Sequence, residues 1–197
     1  MLSNSELSRE LQRQLIGTAR ASIAHGLEHG RPLPVDLRYC APEITALRAV
    51  FVTLEKSRKL RGCVGSLDAH EALVVNVSGN AYAAAFSDHR FPPVTETELD
   101  ALDIHLSILT PSCEIDFRSE DDLLGKLRPG IDGITLVEGS RKGTFLPSVW
   151  ESLPKPDVFL RHLKQKAGLP RDYWSATLRV YRYTAEVIGE NRVADQE

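Results

Sequence analysis

A chain of 197 residues with 42% apolar and 26% charged side chains has the composition of a soluble globular protein, and its length suits one domain that hides about 70% of its unfolded surface. The formal charge of −3, from 24 basic and 27 acidic residues, excludes the overall positive field that drives sequence-independent binding to phosphate backbones. No apolar run is long enough to span a bilayer, and Ser3, Asn4, Glu6 and Arg9 stand where a signal peptide needs an apolar core, so the expectation is a cytoplasmic protein without a membrane partner.

The cysteines Cys40, Cys63 and Cys113 are odd in number and widely spaced, which predicts free thiols rather than a disulfide framework or a zinc site of close pairs. At the N-terminus Ser3-x-x-Glu6 is a capping-box pattern. Behind it Leu7, Leu11, Leu15, Ala19, Ile23 and Leu27 recur at helical spacing, predicting an amphipathic helix over 4–29 that ends near Gly26 or Gly30. His25 and His29 lie one turn apart on it, but no third ligand is near, so no metal is expected. Pro32, Pro34 and Pro42 then break the chain into a connector.

Residues 47–54 and 60–65 read as the arms of a hairpin with a basic tip of Lys56, Arg58 and Lys59. That tip is a solvated turn on one reading and an anion or nucleic-acid contact on the other. The second arm, Leu60-Arg61-Gly62-Cys63-Val64-Gly65, carries the densest chemistry of the chain. Alternation along a strand places Leu60, Gly62 and Val64 on one face and Arg61 and Cys63 on the other. A cation beside a thiol favours the thiolate, and a glycine in a strand marks a bulge or a close approach. The same pattern also describes a small buried cysteine packed among glycines.

A helix over 70–86, marked by Leu73, Val77, Ala81, Ala84 and Ala85, is expected to pack on the sheet that carries Cys63. Asp88-His89-Arg90-Phe91-Pro92-Pro93 ends it, and the loop either lines a site or holds a surface ion pair. Residues 102–109 alternate cleanly; if this strand lies beside the Cys63 strand, His105 or Ser107 shares a face with the thiol and a Cys–His pair follows. Ser119 caps a short helix to 127, and 134–137 with 144–146 forms a second hairpin with a basic tip. A helix from about 157 buries Phe159, Leu160, Leu163 and Ala167 and stops at Gly168. Trp174 is expected to anchor this region. Residues 178–188 read as one long final strand whose Arg179, Tyr181 and Tyr183 either stack bases or, as the acidic charge favours, cover a core edge.

In the 60–65 and 88–93 motifs, in Leu106-Ser107-Ile108-Leu109-Thr110-Pro111, Gly130-Ile131-Asp132-Gly133-Ile134, Phe145-Leu146-Pro147, and Lys166-Ala167-Gly168-Leu169 followed by Trp174, the chain resembles the AMMECR family. Its prokaryotic members are called AmmeMemoRadiSam system protein A. The resemblance implies an α+β fold of antiparallel sheets with flanking helices in two unequal subdomains. It reads residues 1–197 as a single AMMECR-type domain, with the motif-bearing part over about 47–183. It implies an intracellular protein whose biochemical activity is not established, and partners in a Memo-type protein resembling extradiol dioxygenases and a radical S-adenosylmethionine protein. Its suspected functional centre is the region from Arg61 to Gly65.

The candidates are therefore Cys63 and Arg61 as catalytic groups and Gly62, Gly65, Asp88, Arg90 and His105 as binding groups, with no metal and no cofactor identified. His105 stands where family members often carry an acidic residue, and Ser148 where glutamine is common, so neither supports a family-wide triad. Two functions remain. One is an enzyme subunit or accessory of an AmmeMemoRadiSam system, which predicts an accessible Cys63 with a cation or base within hydrogen-bond reach. The other is a non-catalytic binding or adaptor module for protein partners or nucleic acid. A Cys63 packed among aliphatic side chains would instead make the motif a packing device.

Overall fold

The computed structural model describes residues 7–190, and it sorts them into two compact units, 7–109 with 186–190 and 110–185. In the first unit the helical pattern of leucines and isoleucines becomes α1, Arg9–His29, which Ser8 caps by accepting the Leu11 N–H and Gly30 closes in a left-handed conformation. The Ser3–Glu6 capping box lies outside the described residues; among the described ones the helix begins at Arg9. A short helix α2, Pro42–Thr45, leads into the hairpin of β1, Val50–Lys56, and β2, Lys59–Gly65. Then follow α3, Leu73–Phe86, a 3-10 turn at Glu96–Ala101, and β3, Leu102–Leu109.

The second unit contains β4, Cys113–Glu114, α4, Glu120–Lys126, the hairpin of β5, Gly133–Glu138, with β6, Arg141–Phe145, then a 3-10 turn at Pro147–Glu151, α5, Pro156–Lys166, and β7, Arg179–Tyr183. The chain then returns to the first unit as β8, Ala185–Gly189. The long final strand expected over 178–188 is thus two strands in two sheets. Thr184 sits between them, its N–H donating to Thr110 Oγ1 at 2.8 Å, and its carbonyl accepts the Thr110 N–H at 2.9 Å.

The first sheet has the order β2-β1-β3-β8. Alternation gives it one apolar face, where Val50, Val52, Leu54, Ile104, Leu106 and Ile108 are fully buried with residues of α1 and α3. Its other face carries Phe51, Thr53, Glu55, Asp103, His105 and Ser107, all half-buried. The alanines of α3 let that helix lie close on β1 and β2, so close that a Cβ on Gly62 would stand 2.1 Å from the Ala84 carbonyl oxygen. This is the packing expected of the 70–86 helix.

The second sheet has the order β4-β7-β5-β6 and encloses a separate core. Trp150, not Trp174, anchors it. The Trp150 ring stacks on Phe159 at 3.7 Å and 5°, its indole N–H donates 2.7 Å to the Asp132 carbonyl, and only 3% of it is exposed. Trp174 is 36% exposed. Lys164, whose position near the end of α5 suits the helix dipole, is fully buried and pairs with Glu120 at 2.8 Å. Trp150→Ala is therefore expected to cost about 3–5 kcal/mol through the cavity it leaves, and Trp174→Ala less than about 1 kcal/mol; urea titrations of both variants check the contrast.

Candidate functional site

β2 is an edge strand, and an edge strand shows unpaired N–H and C=O groups to whatever lies beside it. At Cys63 both groups are taken. The Cys63 N–H donates to Asp88 Oδ2 at 2.9 Å, and Arg90 Nη2 donates to the Cys63 carbonyl at 3.3 Å. The loop after α3 thus closes the edge with side chains in place of another strand. Because the backbone groups of Cys63 point outward, its pairing with Thr53 of β1 is of the non-hydrogen-bonded kind, in which side chains approach more closely. Thr53 Oγ1 lies 3.4 Å from Cys63 Sγ.

Asp88 and Arg90 lock each other through bonds of 2.9 Å (Nε to Oδ1) and 2.7 Å (Nη2 to Oδ2), and Asp88 Oδ1 also accepts the Arg90 N–H at 3.2 Å. The Arg90 guanidinium holds the Asp88 carboxyl well below the usual carboxylate range; the N–H groups of Cys63 and Arg90 add to this against the opposing effect of burial. Asp88 in turn raises Arg90, with a smaller contribution from Cys63. Arg90 thus reaches Cys63 through the backbone carbonyl.

Arg61 has a different task. Four of its five guanidinium donors are engaged: two on Glu98, at 3.1 and 3.0 Å, and one each on the Pro92 and Pro93 carbonyls, at 2.9 and 3.3 Å. The prolines suit this place because they have no N–H to satisfy and their carbonyls turn to the guanidinium. Glu98 also accepts from Lys56 at 2.9 Å and from the Thr95 N–H at 3.1 Å. Its carboxyl is held well below the usual range, by Arg61 first and Lys56 second. The basic hairpin tip is therefore partly neutralised from within.

The alternation expected along β2 is interrupted, since the register shifts between Leu54 and Glu55 and leaves Arg61 as an extra residue. Leu60 falls out of step with Gly62 and is 43% exposed, whereas Gly62 is buried against α3. Gly65 serves another approach. The Phe51 ring lies across it, 2.3 Å from where a Cβ would stand.

His105 shares the open sheet face with Cys63, but β1 intervenes: Thr53 pairs with Cys63 on one side and with His105 on the other. Two strand spacings, about 9.5 Å, separate the pair. The imidazole leans away over Gly189, whose Cβ would meet Nδ1 at 2.5 Å, and its Nε2 lies 3.4 Å from Asp103 and 3.8 Å from Glu55. The Cys–His pair does not form because β2 and β3 are not neighbours.

Among the described residues no cluster of three His, Cys, Asp or Glu side chains is placed to hold a metal. The half-buried thiol faces a hydroxyl, and the charged groups around it serve to bind the loop to the strand. On the second sheet, Tyr183 is buried, its hydroxyl 3.0 Å from Thr144 Oγ1 and donating to the Phe145 carbonyl at 3.1 Å, and burial pushes its pKa up to about 12. It covers the core edge and offers no ring face for stacking. No helix among the described residues is long and apolar enough to cross a membrane.

A sequence model of the AMMECR1 family matches residues 16–188. A protein of Methanothermobacter thermautotrophicus is 37% identical over 194 residues, covering 94% of this chain and 97% of its own length. One of Thermofilum pendens is 34% identical over 200 residues, covering 93% and 92%. The crystal structure of an uncharacterized protein from Pyrococcus horikoshii superposes with a TM-score of 0.84 at 33% identity over 92% of each chain.

Two expectations follow from the edge closure. Arg61→Ala leaves the Glu98 carboxylate and two carbonyls without their partner and should cost about 2–4 kcal/mol, whereas Cys63→Ala should cost about 1 kcal/mol; thermal and urea unfolding compare them. Asp88 and Glu98 are depressed in the folded state, so their stabilisation is present above the unfolded values of about 4 and is lost as pH falls through the lower folded ones. The urea midpoint should thus fall steeply below about pH 4, and Glu98→Gln should lower it at pH 7 and flatten that acid limb.

Proposed function

Since the chain belongs to the AMMECR1 family, we propose that it works in the cytoplasm as a non-catalytic binding module, the accessory of an AmmeMemoRadiSam-type system whose partners are a Memo-type protein and a radical S-adenosylmethionine protein. The observation that carries this reading is the fate of the charges around Cys63. Arg61, Asp88, Arg90 and Glu98 bond to one another and to backbone, and the thiol contacts the Thr53 hydroxyl in place of a base. A nucleophilic centre needs a base or a cation directed at the sulfur. A recognition surface needs rigidity, which lowers the ordering cost of association.

The edge closure supplies that rigidity. Around Cys63 it presents Leu60 at 43% exposure, and Arg90, whose guanidinium lies 5.5 Å from the centroid of the Phe91 ring. Exposed aliphatic and arginine side chains on a fixed backbone suit a protein partner, and arginine is enriched among residues that dominate binding energy.

The test mixes the purified chain with the Memo-type and radical proteins of the same genome and follows complex formation by light scattering and calorimetry. A complex with at least one of them is expected, with Kd at least about tenfold weaker for Leu60→Glu, a variant whose circular dichroism should match the parent. No complex with either partner, or Cys63-dependent turnover by the isolated chain, would overturn the reading.

A further inference from the structure

Within the second unit, between residues 114–118 and 174–178, lies a cleft of about 720 Å³, a size suited to a small ligand. It exists because an antiparallel ladder stops short. Cys113 pairs with Arg182 and Glu114 with Tyr181, the Ile115 N–H still reaches the Val180 carbonyl at 2.8 Å, and beyond that point the two segments border the cleft. Phe117 and Trp174 line it, their ring centroids 5.6 Å apart and their planes inclined at 59°, which makes an aromatic corner open to solvent on the Trp174 side.

Both walls are fixed by groups that do not belong to the cleft. Glu138 accepts from Tyr173 Oη, Ser175 Oγ and Thr177 Oγ1 at 3.1, 3.0 and 2.7 Å, which holds one wall. Lys126 Nζ donates to the Asp116 carbonyl at 2.8 Å and the Arg118 N–H donates to Asp122 at 2.9 Å, which holds the other. The Trp174 ring itself rests against the buried Lys164 ammonium, 5.7 Å from its centroid.

The charges along the first wall divide into two kinds. Glu114 is taken by Arg179 through two bonds of 2.8 Å. Asp116 and Arg118 stand two residues apart and line the same cleft; among the described residues neither side chain is hydrogen-bonded, and the Arg118 guanidinium has a charged neighbour in Asp122, whose carboxyl it helps to depress. One anion and one cation beside an aromatic corner match a zwitterion with a ring.

We propose that this cleft binds a free aromatic α-amino acid: its ammonium group on the Asp116 carboxylate, its carboxylate on the Arg118 guanidinium, which can take it through two parallel N–H donors, and its ring in the corner between Phe117 and Trp174. The site lies wholly in the second unit and is independent of the partner surface at Cys63.

Calorimetry with the intact chain tests it, using L-phenylalanine, N-acetyl-L-phenylalanine and 2-phenylethylamine as probes. L-Phenylalanine should bind saturably, and each probe lacking one charge at least about tenfold more weakly, because the wall group it faces is left without its partner. Asp116→Asn should narrow the gap between the first two probes and Arg118→Gln that between the first and third, while Trp174→Leu weakens all three. All these residues are exposed or half-exposed, and an unchanged urea midpoint serves as the folding control. Absence of saturable heat up to about 20 mM L-phenylalanine, or 2-phenylethylamine binding as tightly as L-phenylalanine, would overturn the proposal, the second result pointing to a site for organic cations alone.

Discussion

Asp88 and Arg90 hold together what the first unit needs most, an edge strand that does not recruit another chain. β2 ends its sheet, and the two outward backbone groups of Cys63 would template a further strand if left open. A single aspartate takes the N–H, a single arginine takes the C=O, and the pair is bidentate with itself, so one loop imitates the hydrogen-bond pattern of a neighbouring strand at one residue. Arg61 then pins the far end of the loop through the Pro92 and Pro93 carbonyls and Glu98. Strand and loop are thereby joined at both ends by charged groups, and the open sheet face beside them inherits a fixed backbone.

The two dense motifs follow from this one requirement. In the strand, Gly62 exists for the Ala84 carbonyl, Gly65 for the Phe51 ring and Arg61 for the loop. In the loop, Asp88 and Arg90 exist for the Cys63 backbone, and the prolines for Arg61. The position whose side chain this scheme leaves uncommitted to the loop is Cys63, whose sulfur lies beside the Thr53 hydroxyl. A backbone position under such constraint together with a half-buried, chemically distinctive side chain is what a recognition surface requires.

Legibility in the sequence tracked how local each determinant is. α3, α4, α5 and both hairpins could be read from periodicity, caps and turn residues, because those signals lie within a few residues of what they control. The purpose of Arg61 could not, since the bulge that displaces it is set by the fit between β1 and β2, and its partners lie more than thirty residues ahead. Glu98 was missed although Thr95-x-x-Glu98 carries a readable capping box, realised at the 3-10 turn. The split at Thr184 is hidden because no glycine, proline, asparagine or aspartate interrupts residues 178–188, and nothing in a strand's own residues says to which sheet it belongs. Trp174 looked like an anchor by residue type alone; Trp150, which does anchor, sits in a 3-10 turn where no periodicity announces it.

Charge is managed in the same manner in both units, and this bears on which partners the chain suits. Arg61, Lys56, Arg128, Lys164 and Arg179 each face a carboxylate within the fold, so these cations, which look available in the sequence, are neutralised. A phosphate backbone would have to compete with those bonds along its whole length. A protein surface or a single zwitterion makes a smaller demand, since it needs only a few well-placed groups on a fixed frame. The surfaces proposed above lie at the closed edge of the first unit's sheet and, in the second unit, where the ladder ends at Ile115. At both places strand pairing stops and side chains take over the work of the backbone.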